Sequence, residues 1–236
     1  MFYIFDGRKC LDVVLCICLV LSGVLLVRTA DSLHAVERMI SPRPCLIIDP
    51  GHGGIDGGAV AFNGVRESDI NLAIALKLRD LADFFGVDTA LTRTDDSSQS
   101  DSASYSEHED LVHRTELINA VSNGVLISIH QNFFPTSQPS GAQVLYAAGE
   151  RSRALGTRTH GNLVTALQPS NRRLAEPAPD RLYITSHVTC PAILVECGFL
   201  SNLNDLDQLA RDPYQTSLAA VLLASFLQFI GSERSI

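Results

Sequence analysis

The 236-residue chain has no tryptophan, only two methionines and, among its 18 cationic residues, only two lysines, Lys9 and Lys77. Its formal net charge is -8. Without a basic excess, and without arginine interleaved with aromatics, it lacks the electrostatic footprint that tracks a nucleic-acid backbone, so nucleic acid is not an expected partner. The scarcity of lysine beside arginine is read as a composition bias without functional meaning. The six cysteines include no C-x-x-C pair, which excludes the usual spacing for a redox couple or a thiolate metal knuckle. Cys10, Cys16 and Cys18 lie in or beside an apolar segment, and Cys45, Cys190 and Cys197 in or next to expected strands, so all six are read as small buried hydrophobes. No internal repeat is visible.

A composition of 46% hydrophobic and 19% charged residues suits one globular domain with an appendage. The appendage is the apolar run from Val13 to Val27, preceded by Arg8 and Lys9. It reads as a targeting segment, residues 1–28, that stays as an uncleaved anchor. Small residues suited to signal-peptide cleavage are poorly placed before Ala30 and Ala35, although a cleaved, secreted form is the rival reading. The preceding positive charges keep the N-terminus inside, so the remainder is expected to face outward. Residues 29–44 carry mixed charge and end in Ser-Pro-Arg-Pro, a linker.

From Cys45 onward, short apolar runs alternate with amphipathic ones. Strands are expected at 45–49, 87–91, 125–129, 142–146 and 192–196. Helices are expected from an N-cap at Ser68 to Gly86, around Asp110 to Val121, over roughly 151–167, and from Asp212 to Gly231. Residues 95–109 read as a solvated loop without chemistry. The alternation predicts an α/β fold, a three-layer sandwich with a mostly parallel twisted sheet and helices on both faces, for a catalytic domain over 45–232.

Three expected strands deliver an ionisable side chain at or just past their C-terminal ends: His52, His130 and Glu196. In a parallel α/β sheet those ends share one edge, where ligands bind, so these residues are expected to converge. His52 lies in Asp49-Pro50-Gly51-His52-Gly53-Gly54, whose glycines leave the histidine accessible; alone this could equally be a tight turn. His130 ends a hydrophobic strand and alone could be a satisfied core histidine. Glu67 precedes the first helix, where an acid is also favoured by the helix dipole. Together, two histidines and a carboxylate form the ligand set of a catalytic zinc with an open fourth position. Glu196 follows four apolar residues, an expensive place for an unpaired carboxylate.

The segments Ile47-Ile48-Asp49-Pro50-Gly51-His52-Gly53-Gly54, Gly64-Val65-Arg66-Glu67, Leu91-Thr92-Arg93, Ile127-Ser128-Ile129-His130-Gln131-Asn132, Ser140-Gly141-Ala142-Gln143 and Pro191 to Asn202 occur in one order across the domain. In these the chain resembles the zinc-dependent N-acetylmuramoyl-L-alanine amidases of type 3, and in detail the branch that includes the germination-specific spore-cortex amidase. The resemblance implies zinc bound by His52, Glu67 and His130, with Glu196 the catalytic carboxylate. It also implies peptidoglycan glycan strands and stem peptides as substrate, in cell wall or spore cortex. Any protein activator is left open. Arg93, Arg114 and Asn132 are candidates for substrate contact. For the arginines the alternative is a structural pairing with acids such as Asp49; Gln143 and Asn132 could orient ligands. His34, His108, His113, His160 and His187 read as surface or helix residues. Two other functions share the metal logic or the fold: a non-catalytic muropeptide-binding protein, and a zinc carboxypeptidase acting within the stem peptide.

Overall fold

A computed structural model describes residues 43–100 and 105–233. The expected anchor and most of the linker lie outside the described residues. Six strands form one sheet: β1 (Cys45–Pro50), β2 (Thr89–Leu91), β3 (Gly124–Asn132), β4 (Gln143–Tyr146), β5 (Glu176–Pro177) and β6 (Ala192–Phe199), in the order β2-β1-β3-β6-β4-β5. The β2-β1-β3-β6 block is parallel throughout. β4 runs antiparallel to β6, and β5 runs parallel to β4. The C-terminal ends of β1, β3 and β6 therefore meet at one edge, joined there by the N-terminal end of β4.

Among the described residues, six helices surround the sheet: α1 (Glu67–Phe84), α2 (Glu107–Asn119), α3 (Glu150–Ala166), α4 (Tyr183–His187), α5 (Leu203–Leu209) and α6 (Asp212–Glu233). Alternate strand residues serve opposite faces, as the period of two requires. Leu46, Ile48, Ile127, Ile193 and Val195 enter the larger core with α1, α3 and α6, whereas Ile47, Leu126 and Ala192 pack with Ile118 of α2 and Ile184 of α4. This is the expected three-layer arrangement. The strands on which it depends were recognisable because both faces are covered, making them near-continuous apolar runs.

Several boundaries differ from expectation. Ser68 does not cap α1; the helix begins at Glu67 after Arg66, with no side-chain cap. Its first amides instead donate to loop carbonyls, Glu67 N to Ala59 O and Ser68 N to Gly57 O, so no capping hydroxyl is needed. The expected loop over 95–109 gives way to α2 at Glu107, with Ser106 Oγ accepting from Glu109 N. It is also tied to the domain: Asp96 accepts from Gly54 N, and Gln99 Nε2 donates to Thr92 O. Gly231 does not end α6, which continues to Glu233.

α6 is long and apolar enough to cross a membrane, with a mean hydropathy of 1.4, but in this domain it is a core helix packed on α1 and α3. Phe226 on it is fully buried. Phe226→Ala should lower the free energy of unfolding by about 3–5 kcal/mol in urea titrations. Removing the Lys77 partner of the exposed Asp212 on the same helix should change it by less than about 1 kcal/mol.

Candidate metal centre and active site

The loop that leaves β1 turns sharply at His52, whose φ of 61° is left-handed and unusual for a residue with a side chain. Two buried arginines hold it there. Arg93 donates from Nε to Pro50 O at 2.9 Å and from Nη2 to Gly51 O and Ser68 O, both at 3.0 Å. Arg114 donates from Nη1 to Pro50 O at 2.9 Å and from Nη2 to His52 O. Arg114 is in turn paired with Asp49 at 3.1 Å and Asp110 at 2.7 Å. Thr92 and Ser128 hydroxyls complete the shell around the fully buried Asp49 carboxylate, at 2.6 and 2.7 Å. Expected either at substrate carboxylates or in structural pairs, both arginines are directed into the protein and hold its own carbonyls. Burial pushes the Arg93 guanidinium down to about 10.

His52 Nδ1 lies 2.6 Å from Asp56 Oδ2, and Asp56 Oδ1 accepts from Gly58 N at 2.9 Å. This contact fixes the ring so that Nε2 faces Glu67 Oε1, 3.4 Å away. His130, on β3, brings Nδ1 to within 3.1 Å of the same oxygen, and the two imidazoles stand edge to face with centroids 5.1 Å apart. Glu67 is pinned as well: Oε2 accepts from Ala59 N at 3.0 Å, and Oε1 from Gln131 N at 3.0 Å and Asn71 Nδ2 at 3.4 Å. Asn71 also donates to Gly51 O and accepts from Gln131 Nε2, so one buried carboxamide ties β1, α1 and β3 together.

The donor atoms of His52, Glu67 and His130 all lie within 4.8 Å of one another. The separations of 3.1 and 3.4 Å from Glu67 Oε1 are those of neighbouring ligands on a tetrahedral ion with bonds of about 2.0–2.1 Å, for which the ligand–ligand edge is roughly 3.3 Å. Burial alone would lower the His52 pKa, but hydrogen bonds to Asp56 and Glu67 and their charges outweigh it and raise it to about 10. Burial would raise Glu67, yet its contacts with His130 and His52 hold it well below the ordinary carboxylate range. The pocket thus has a potential that retains positive charge between the two rings, and its donor set fits a divalent zinc ion.

Glu196 is the Cα partner of His130 across β3 and β6, immediately before a bulge that ends at Asn132. Its Oε2 is buried with no hydrogen-bond partner among the described residues. Burial pushes its carboxyl up to about 7, against the opposing pull of His130. Asn132, half-buried, closes β3 and accepts from Leu200 N through its backbone carbonyl at 2.8 Å. His160, by contrast, is buried in α3 with Nε2 2.7 Å from Arg173 O, away from this cluster. A larger cavity of about 930 Å³ lies by α5, lined by Gln168, Asn171 and Tyr214 among others. Gln168 and Asn171 there are bonded to Ala142, Cys197, Tyr214 and each other, so that cavity has a structural lining while the reactive groups gather at the sheet edge.

Residues 46–226 match the family described as N-acetylmuramoyl-L-alanine amidase, Amidase_3. The chain belongs to that family. It is 32% identical over 197 residues to the germination-specific N-acetylmuramoyl-L-alanine amidase of Bacillus subtilis (strain 168), covering 80% of each chain. The CwlD amidase from Clostridioides difficile, solved in complex with the GerS lipoprotein, superposes with a TM-score of 0.77 at 34% identity, over 80% of this chain and 100% of that one. The amidase AmiC2 of Nostoc punctiforme gives 0.69 at 27%, over 81% and 99%. The activity of this Amidase_3 chain is accordingly hydrolysis of the amide joining N-acetylmuramic acid to L-alanine in peptidoglycan.

The sequence singled out His52, Glu67, His130 and Glu196, and the fold brings all four to one edge. It gave no sign of Asp56, Asn71 or Gln131 as supports. Asp56 sits four residues after His52 in a non-helical loop, where that spacing has no geometric meaning, and Asn71 is 60 residues from its Gln131 partner.

A Cβ on Gly51 would lie 2.2 Å from His130 Cε1, so Gly51→Ala must displace that ring. The variant should fold but bind zinc at least tenfold more weakly, as read by competition with a chromogenic chelator. Arg114→Met should leave Asp49 buried and unpaired, lowering stability at neutral pH by about 3–5 kcal/mol in urea unfolding. Despite the opposing effect of burial, Arg114, Ser128 and Thr92 hold Asp49 below its ordinary pKa. In the intact protein its contribution is therefore complete above about pH 4 and lost as pH falls below that, so the stability deficit of Arg114→Met should narrow in acid.

Proposed function

We propose that amide hydrolysis by this chain is zinc-dependent, with His52, Glu67 and His130 as ligands and Glu196 as the general base and acid. The observation that carries this reading is Glu196 itself. A buried carboxylate oxygen without a partner, one strand from His130 and beside three convergent donors, is costly unless chemistry uses it. When bound, zinc supplies Lewis acidity to the amide carbonyl and lowers the pKa of water toward neutrality. Glu196 accepts the proton of the attacking water and returns it to the departing amine, which is otherwise a poor leaving group. Asp56 holds His52 in the tautomer that leaves Nε2 free, and Asn71 with Gln131 N keeps Glu67 Oε1 directed between the rings. With Arg93 and Arg114 engaged internally, Asn132 remains the candidate among the three for contact with substrate.

The reading extends to location. The basic and apolar N-terminal pattern supports a domain held outside the cytoplasmic membrane by residues 1–28, where its polymeric substrate lies. The likeness to a germination-specific amidase supports spore-cortex peptidoglycan as the setting, and the lipoprotein bound to the C. difficile amidase supports an accessory protein as a possibility to test by co-purification.

Detergent-solubilised full-length protein incubated with purified muropeptides should release intact stem peptides beginning at L-alanine, by mass spectrometry, with zinc and not with chelator. Glu196→Gln should keep stoichiometric zinc and lose about 10²–10⁴-fold in kcat, whereas His130→Ala should lose the metal. Equal metal loss in both variants would overturn these assignments. Released D-alanine in place of stem peptide would identify a carboxypeptidase, and zinc binding with an unchanged digest would favour a binding protein or a missing activator.

A further inference from the structure

Beyond β6, the active-site face of the sheet is only partly covered over β4 and exposed at β5. On that face α2 and α4 cover Ile47, Leu126 and Ala192, toward the β1 side. The helix packed against β4 is α3, which lies on the opposite face with Val144 and Leu155. Residues of the other parity, Gln143 and Leu145, keep part of their surface in solvent, and both residues of β5 are exposed.

The register places particular groups on this floor. Gln143 is the Cα partner of Glu196, on the side away from His130, and Leu145 is the partner of both Leu194 and Glu176. Cross-strand partners project to the same face, so His130, Glu196 and Gln143 form a row leading from the reaction centre across β6 to β4, and Glu176, the partner of Leu145, lies on the same face one strand further and two residues off that row. Gln143 Nε2 donates to Glu176 Oε2 at 3.1 Å, which fixes the carboxylate over the floor. Among the described residues Glu176 forms no ion pair.

We propose that Glu176, oriented by Gln143, is a specificity site for the side-chain ammonium of the diamino acid at the third position of the stem peptide, so that the enzyme favours stems whose amine is free of a crosslink. The inference rests on the amidase reading above and adds the substrate class. Two strand spacings of about 4.8 Å and a two-residue offset along the strands separate the backbones at Glu196 and Glu176 by roughly 12 Å. An extended peptide running from the scissile amide reaches the α-carbon of its third residue after roughly 8–9 Å, and a diamino side chain covers the remainder. An anionic group at that distance, exposed at β5, meets the side-chain ammonium of the stem. The same position would penalise a stem whose amine has been acylated, because the carboxylate would then be offered a neutral amide.

The test uses the full-length zinc-loaded enzyme and two synthetic muramoyl tripeptides that differ only in the third residue, lysine or Nε-acetyl-lysine. The free-amine substrate should be preferred roughly 2- to 5-fold in kcat/KM, the range of a solvent-exposed ion pair, with the difference in KM. Glu176→Gln should remove the preference by weakening cleavage of the lysine substrate alone, and Glu176→Lys should reverse it. The acetylated substrate serves as the internal control for folding and zinc content. An unchanged preference in Glu176→Gln, or equal losses on both substrates, would overturn the assignment of Glu176 while leaving the amidase intact. A wild-type enzyme that leaves both of these substrates and purified muropeptides uncut would instead remove the amidase reading and this inference with it; one that cuts muropeptides alone is tested on a muropeptide pair with the amine free and acetylated, read by the same criteria.

Discussion

The active site depends on a buried cation placed against backbone carbonyls. Arg114 is anchored by Asp49 and Asp110, and from there its guanidinium reaches Pro50 O and His52 O; Arg93 takes Pro50 O and Gly51 O from the other side. Without them the β1 exit loop would have two carbonyls, Pro50 O and His52 O, to satisfy, Gly51 O keeping only Asn71, and a histidine in a backbone region that disfavours side chains. Strain of this kind persists only where the surroundings over-determine the conformation. Here they do so through charge-assisted hydrogen bonds, which are shorter and stronger than neutral ones.

The remaining donors are held by different means suited to their elements. His130 rides on a central strand and gains its direction from the pleat, with Gly51 leaving room for its ring. Glu67 opens a helix whose first amides are already satisfied by the preceding loop, so its carboxylate is free to turn toward the rings and to accept from Ala59 and Gln131. A loop, a helix start and two strand ends thus present four groups whose relative positions are set by backbone contacts. That is the preorganisation a metal centre of this donor set would need.

Much of this was legible in the sequence for a definite reason. β1, β3 and β6 are buried on both faces and so read as apolar runs, and each run ends in a polar residue that has no place in a core. The family motifs made the four principal residues firmer. The supports were not legible, because a charged residue such as Arg114 carries no mark of whether its partner is a ligand or a distant carboxylate. Nor was β5, whose two residues, glutamate and proline, have the composition of a turn. The direction of β4 was equally hidden: four residues with one buried position specify a strand but not which way it pairs.

β5 has a further effect on how an extended chain can engage the domain. A free sheet edge invites another strand to add to it through its unpaired amides. At this edge the ladder stops after Glu176 and Pro177; proline has no amide to donate, and the charge beside it disfavours a flat, apolar partner. β-augmentation is thereby blunted at the β5 margin, two strands from Glu196. An extended chain arriving at that edge is offered no ladder to join as a seventh strand.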